Sequence, residues 1–104
     1  VYRPQLILIS AGYDAHHDDP LAGCDVSDDG FAAMAASVGA LAGELGVGLG
    51  FVLEGGYDVN ALARSVIRTL ETAEDPAVAA PDLPEHPTAL SARARISDHW
   101  TALR

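Results

Sequence analysis

Two short, wholly apolar runs constrain this chain more than any other feature. Leu6-Ile7-Leu8-Ile9 ends at Ser10-Ala11-Gly12, and the run from Leu49 to Leu53 ends at Glu54-Gly55-Gly56-Tyr57-Asp58. Neither alternates apolar with polar residues, so each reads as a strand buried on both faces, the kind that parallel sheets make. Helical periodicity follows each of them. Ser27 can cap a helix that carries Asp28 and Asp29 in its first turn, at the positive end of the dipole. Phe31, Met34, Ala35, Val38, Leu41, Ala42 and Leu45 then recur at helical spacing, and Gly46 stands where the helix should stop. The opposite face of this helix is Ala, Gly and Ser rather than charge, as in a helix covered on both sides. Asp58 can cap a second helix, with Val59, Leu62, Ala63, Val66, Ile67 and Leu70 on its buried stripe. Strand, helix, strand, helix predicts an α/β fold with a parallel sheet and a right-handed crossover.

A chain of 104 residues makes one domain at most. Two strands are too few for a stable open sheet, and their unpaired edges and apolar faces predict that these residues do not fold alone. Val1-Tyr2-Arg3-Pro4 leads within two residues into an apolar strand and has no initiating Met, so the chain reads as beginning partway through a larger protein. Residues 75–87 are rich in Pro and small side chains and read as a connector, and residues 88–104 read as a terminal helix carrying Ile96, Trp100 and Leu103. No internal repeat is visible.

Composition narrows the class of function. Hydrophobic residues are 49% of the chain and charged residues 20%, which describes packed protein and not a solvated tail. All six bases are Arg, against fifteen acids, for a net charge of −9. No basic stripe exists to neutralise a phosphate backbone, so nucleic acid is not an expected partner. Cys24 is the single cysteine, which excludes an internal disulfide and any Cys-only metal site and suits a reducing compartment, with the cytoplasm as the default. The sequence has no secretory leader and no apolar run of bilayer length, so no membrane partner is expected.

In open parallel sheets, ligands bind beyond the carboxyl ends of the strands. Both unusual segments of this chain leave strands at that edge: Ser10-Ala11-Gly12-Tyr13-Asp14-Ala15-His16-His17-Asp18-Asp19-Pro20-Leu21 after the first, and Glu54-Gly55-Gly56-Tyr57 after the second. If the strands are neighbours, a carboxylate-rich loop and a glycine-flanked tyrosine converge. Such a pair suits a carboxylate that holds a metal and a phenol that hydrogen-bonds an oxyanion.

The run SAGYDAHHDDPLAGCDVSDDGF, a helix of suitable length, and then VLEGGYD before another helix resemble the C-terminal part of a zinc-dependent histone deacetylase-like amidohydrolase. The similarity is to the branch with a Leu-Glu-Gly-Gly-Tyr motif, shared by class II deacetylases and bacterial relatives, and it covers about residues 4–73. It implies a partial deacetylase domain over 1–104, the C-terminal part of a three-layer α/β/α arginase/deacetylase-type fold with a mainly parallel sheet. It implies zinc, or iron in its place, held in part by Asp14, and Tyr57 as the group that stabilises the oxyanion. Leu21 corresponds to a channel-lining leucine, and Gly55 and Gly56 to glycines of the channel wall, where a side chain would obstruct substrate. The implied activity is removal of an acyl group, most simply acetyl, from a lysine side chain or a polyamine. The family's adjacent histidine pair and its Asp-x-His zinc ligands have no counterpart here; in relatives they lie upstream.

Asp14-Ala15-His16-His17 superficially matches that upstream motif, but Ser-Ala-Gly before it and Asp-Pro-Leu after it belong to the later one. Alternation along an extended segment could still place Asp14 and His16 on one side as a chelate. Without the resemblance, Asp14 reads as a turn or cap residue and Tyr57 as half-buried packing. His16, His17, Asp18 and Asp19 read as a polar loop rim, with Asp19 able to form an Asx turn, and Cys24 as a small buried residue. Gly46-x-Gly48-x-Gly50 precedes a strand instead of following one, so it is no dinucleotide loop. Two rival functions remain: a catalytically silent, deacetylase-like binding module for acyl-amines, and a βαβ unit with no site.

Overall fold

The computed structural model describes residues 2–75, 85–97 and 99–100. Its elements run β1 (Leu6–Gly12), α1 (Asp28–Leu45), β2 (Gly48–Gly55), α2 (Val59–Glu74) and α3 (Pro87–Ile96). The strands pair in parallel, with Leu6 opposite Gly48 and Ile9 opposite Phe51. The expected α/β fold with a parallel sheet is therefore present.

Capping follows the sequence closely. The Ser27 hydroxyl accepts from the Gly30 N–H at 3.1 Å, and the Asp58 carboxylate accepts from the Ala61 N–H at 2.7 Å, each satisfying a donor that a helix start leaves without a partner. Gly46, at φ 65°, closes α1 through bonds from its N–H to the carbonyls of Ala42 and Gly43.

The helical faces differ from the expected stripes. On α1 the buried residues are Phe31, Ala32, Ala35, Ala36, Gly39 and Ala42, whereas Met34, Leu41 and Leu45 are exposed. On α2 they are Ala61, Ser65, Thr69 and Thr72, whereas Val59, Ile67 and Leu70 are exposed. The two helices meet through their small residues. Small side chains let helix axes approach closely, and two of the hydroxyls buried here have partners: Thr72 donates to the Arg68 carbonyl at 2.7 Å, and Ser65 to Asp28 at 3.1 Å. The larger apolar residues are left facing away from that seam.

The strands, too, are covered on one face only. Ile9, Ala11 and Phe51 pack with Tyr13, Phe31, Leu62 and Val66 into the core, where the Tyr13 and Phe31 rings lie 5.0 Å apart at a tilt of 52°. Leu6, Leu8 and Val52 are exposed on the other face. There Gly48 and Gly50 leave room for the ends of Leu6 and Leu8, which lie within 3.3 and 3.0 Å of where their Cβ atoms would be. Among the described residues no element covers this face, so burial on both sides of the strands is not met.

No described helix is long and apolar enough to cross a membrane. The terminal helix spans Pro87–Ile96, shorter than expected, with Ile96 and Trp100 exposed. Most of the 75–87 connector, and Leu103, lie outside the described residues. Cys24 is exposed, not buried, because it sits on the loop before α1 instead of under it.

Candidate active site

The pairing of β1 with β2 carries both unusual segments to one sheet edge. The register slips there: Ala11 faces Leu53 but Gly12 faces Gly55, so β2 contributes one extra residue. Beyond the slip, the Tyr13 N–H donates to the Gly55 carbonyl at 2.8 Å, which ties the loop after β1 to the end of β2.

Asp14 is lodged in this junction. A Cβ on Gly55 would lie 2.8 Å from Asp14 Oδ1 and 3.1 Å from its Cγ, and a Cβ on Gly12 would lie 2.9 Å from the same oxygen. The carboxylate thus occupies the space that side chains at these two positions would take. Gly56 is required for a different reason: its φ of 136° is one that L residues rarely adopt, and a Cβ there would meet Leu62 Cδ1 at 2.9 Å and Tyr13 Cβ at 3.2 Å.

Tyr57 follows directly and its side chain is exposed, at 58%. Its main chain is held. The Asp19 carboxylate, only 8% exposed as a residue, accepts the Tyr57 N–H at 2.7 Å and the Asp58 N–H at 3.3 Å through Oδ2. Its Oδ1 accepts the Leu21 N–H at 2.9 Å, the expected Asx turn. Burial pushes the Asp19 carboxyl up, but the N–H groups of Tyr57, Leu21, Asp58 and Ala22 outweigh that and hold it below the usual carboxylate range. Leu21 is itself exposed, at 67%. Asp14, Leu21, Gly55, Gly56 and Tyr57 are therefore gathered at one edge by a bulge, two glycines and one carboxylate.

His16 is no part of a loop rim. It is completely buried beneath the loop. Its Nδ1 accepts the Asp18 N–H at 3.0 Å, which leaves the ring proton on Nε2, and Nε2 donates to Asp28 Oδ1 at 3.0 Å. Asp28 also accepts from Ser65 Oγ at 3.1 Å and from Arg64 Nε at 3.0 Å, and Arg64 reaches Asp18 at 3.1 Å. Burial raises the Asp28 carboxyl, and the hydrogen bonds from Arg64, Ser65 and His16 with the Arg64 charge bring it below its ordinary value. The sequence reading gave Asp28 only a place in the first turn of α1. The available signal was the match of Asp28 and Asp29 with Arg64 and Arg68 on the next helix, the second pair meeting at 3.2 Å.

These contacts decide which residues suit a metal. His16, His17 and Asp18 bring ligand-type atoms within 4.8 Å of one another. Both His16 nitrogens are already committed, however, so it offers no lone pair to a cation, nor to a chelate with Asp14. Asp14 is the opposite case. It is half-buried, among the described residues no hydrogen bond or ion pair engages its carboxylate, and neither of its oxygens is fully buried. An anionic oxygen pair facing no protein donor is chemically suited to a divalent ion.

The chain is similar to known proteins over most of its length. The histone deacetylase domain profile matches residues 1–73. The chain is 46% identical over 69 residues to histone deacetylase 10, chloroplastic, of Oryza sativa subsp. japonica, covering 65% of this chain and 16% of that protein. It is 35% identical over 109 residues to the polyamine deacetylase HDAC10 of Homo sapiens, covering 99% of this chain and 16% of that protein. Among solved structures, the HDA15 HD domain superposes with a TM-score of 0.69 at 31% identity, over 94% of this chain and 26% of that one. The chain spans about a sixth of the length of the two curated relatives.

Proposed function

Since this chain belongs to the histone deacetylase domain family, we propose that it supplies one wall of a metal-dependent deacylase site that hydrolyses the amide of acetyl-lysine or acetylpolyamine substrates. The observation that carries the reading is the Asp14 carboxylate, which among the described residues has no hydrogen-bond donor and is seated against Gly55, itself two residues before Tyr57. That the human relative is named a polyamine deacetylase supports the amine class.

Asp14 is assigned one ligand position. When bound, zinc, or iron in its place, supplies Lewis acidity toward a carbonyl oxygen and a water. Tyr57 directs its hydroxyl at the substrate carbonyl, where the hydrogen bond strengthens as negative charge develops on oxygen. Leu21 lines the approach for the acylated side chain, and Gly55 and Gly56 keep that approach free of side chains. Proton transfer is assigned to a histidine pair outside these 104 residues.

The test is a pair of variants of the full-length protein, assayed on acetyl-lysine and acetylpolyamine substrates with metal analysis of the same preparations. Tyr57→Phe is expected to lower kcat by about 10²–10³ with little change in KM and full metal content. Asp14→Ala is expected to lose both activity and tightly held metal. An Ala variant that keeps a full equivalent of metal, or a Phe variant with unchanged kcat, overturns the corresponding assignment.

A further inference from the structure

The Asp19 carboxylate touches both halves of the site's main chain. Its two oxygens are divided between them: Oδ1 takes the Leu21 N–H of its own loop, and Oδ2 takes the Tyr57 and Asp58 N–H groups 38 and 39 residues further along the chain. Tyr57 follows the end of β2 after a single residue, Gly56, whose φ of 136° only glycine adopts readily, and its own side chain is exposed. With the ring exposed, the described hydrogen bonds that hold this residue are those of the main chain from which the ring projects. A hydroxyl that acts on a developing oxyanion is sensitive to errors of about 1 Å.

From these contacts we infer that Asp19 is a positioning residue for Tyr57, setting the distance between the tyrosine and the Asp14–Leu21 loop by clamping the Tyr57 and Leu21 amides on one carboxylate. The inference rests on the catalytic reading of Tyr57 given above. Asp19 is buried beneath the loop and acts only through the backbone it holds. Both of its oxygens must be acceptors, because the groups that face it are N–H donors, so the role requires the ionised acid. An amide at this position presents one oxygen and one NH2 group and cannot satisfy both sides.

A double-mutant cycle in the full-length protein tests it, with Asp19→Asn and Asp19→Glu each made in the wild-type and Tyr57→Phe backgrounds. Asn keeps the shape but removes one acceptor; Glu keeps both acceptors but moves them by a methylene. Each is expected to lower kcat about 10-fold or more in the wild-type background, with KM within twofold and metal content unchanged. In the Tyr57→Phe background the same substitutions are expected to change kcat less than twofold, because no hydroxyl remains to be misplaced. Equal losses in both backgrounds overturn the coupling and leave the reading of Tyr57 intact, as does wild-type kcat for both Asp19 variants. A Tyr57→Phe enzyme with unchanged kcat overturns that reading itself. Loss of metal in the Asn variant with metal retained in the Glu variant also overturns the inference, since Asp19 would then act on the Asp14 side of the loop.

Discussion

His16 Nε2 donates to Asp28 Oδ1 at 3.0 Å, and through that bond the loop after β1 is fastened to the first turn of α1. The same carboxylate receives Ser65 and Arg64 of α2, so three segments meet on one acid. Removing His16 strands two partners at once: the Asp18 N–H and one hydrogen bond to Asp28.

His16→Ala is therefore expected to destabilise the protein by about 2–4 kcal/mol, from a buried cavity and lost hydrogen bonds together. His16→Gln, which can still donate toward Asp28, is expected to recover part of this. Denaturant unfolding of the two variants checks it; an Ala variant as stable as wild type would show that the bonds to His16 carry no net energy.

Acid should weaken the same scaffold. Asp19 and Asp28 both have folded-state values below their ordinary 3.8. Their stabilisation is thus fully present above that value and is lost as pH falls from it through the lower folded-state values. The stability profile is expected to be flat in these two groups near neutrality and to decline below about pH 4. Asp28→Asn is expected to lower the plateau and make the acid decline shallower. A profile of unchanged steepness would mean that Asp28 binds its proton equally in folded and unfolded chains.

Gly55 and Gly56 are expected to fail in different ways. In Gly55→Ala the new methyl lies 2.8 Å from the Asp14 carboxylate oxygen, so the acid must move, and metal affinity should fall more than stability does. In Gly56→Ala the cost is a φ of 136° and contact with Leu62 and Tyr13, which should lower stability by about 1–3 kcal/mol. Melting curves and metal titrations of both variants separate the two, and identical behaviour would remove the distinction.

The order of strands, helices and caps was legible because each rests on local chemistry: Ser27 and Asp58 cap whatever helix follows them. The buried faces were not. A stripe of Val59, Ile67 and Leu70 looks like a core by hydrophobicity alone, yet the buried positions of α2 are the small Ala61, Ser65, Thr69 and Thr72, with the Ser65 and Thr72 hydroxyls finding partners. The site was half legible. Asp14, Tyr57 and Leu21 stand out by motif and strand-end position. His16 and Asp28 do not, since a buried polar network depends on contacts 12 and 37 residues apart that no local pattern records.

An exposed aromatic ring is commonly equated with a mobile one, and Tyr57 separates the two ideas. Its amide is bound at 2.7 Å to an acid that also holds the amide of Leu21. In hydrogen exchange, both amides are expected to be protected like those of the strands, while Gly23 and Cys24 on the same loop exchange rapidly. Solvent then reaches these side chains without loosening the peptide planes that carry them, so the entropy of ordering the main chain here is spent when the protein folds and is not demanded again when a ligand arrives.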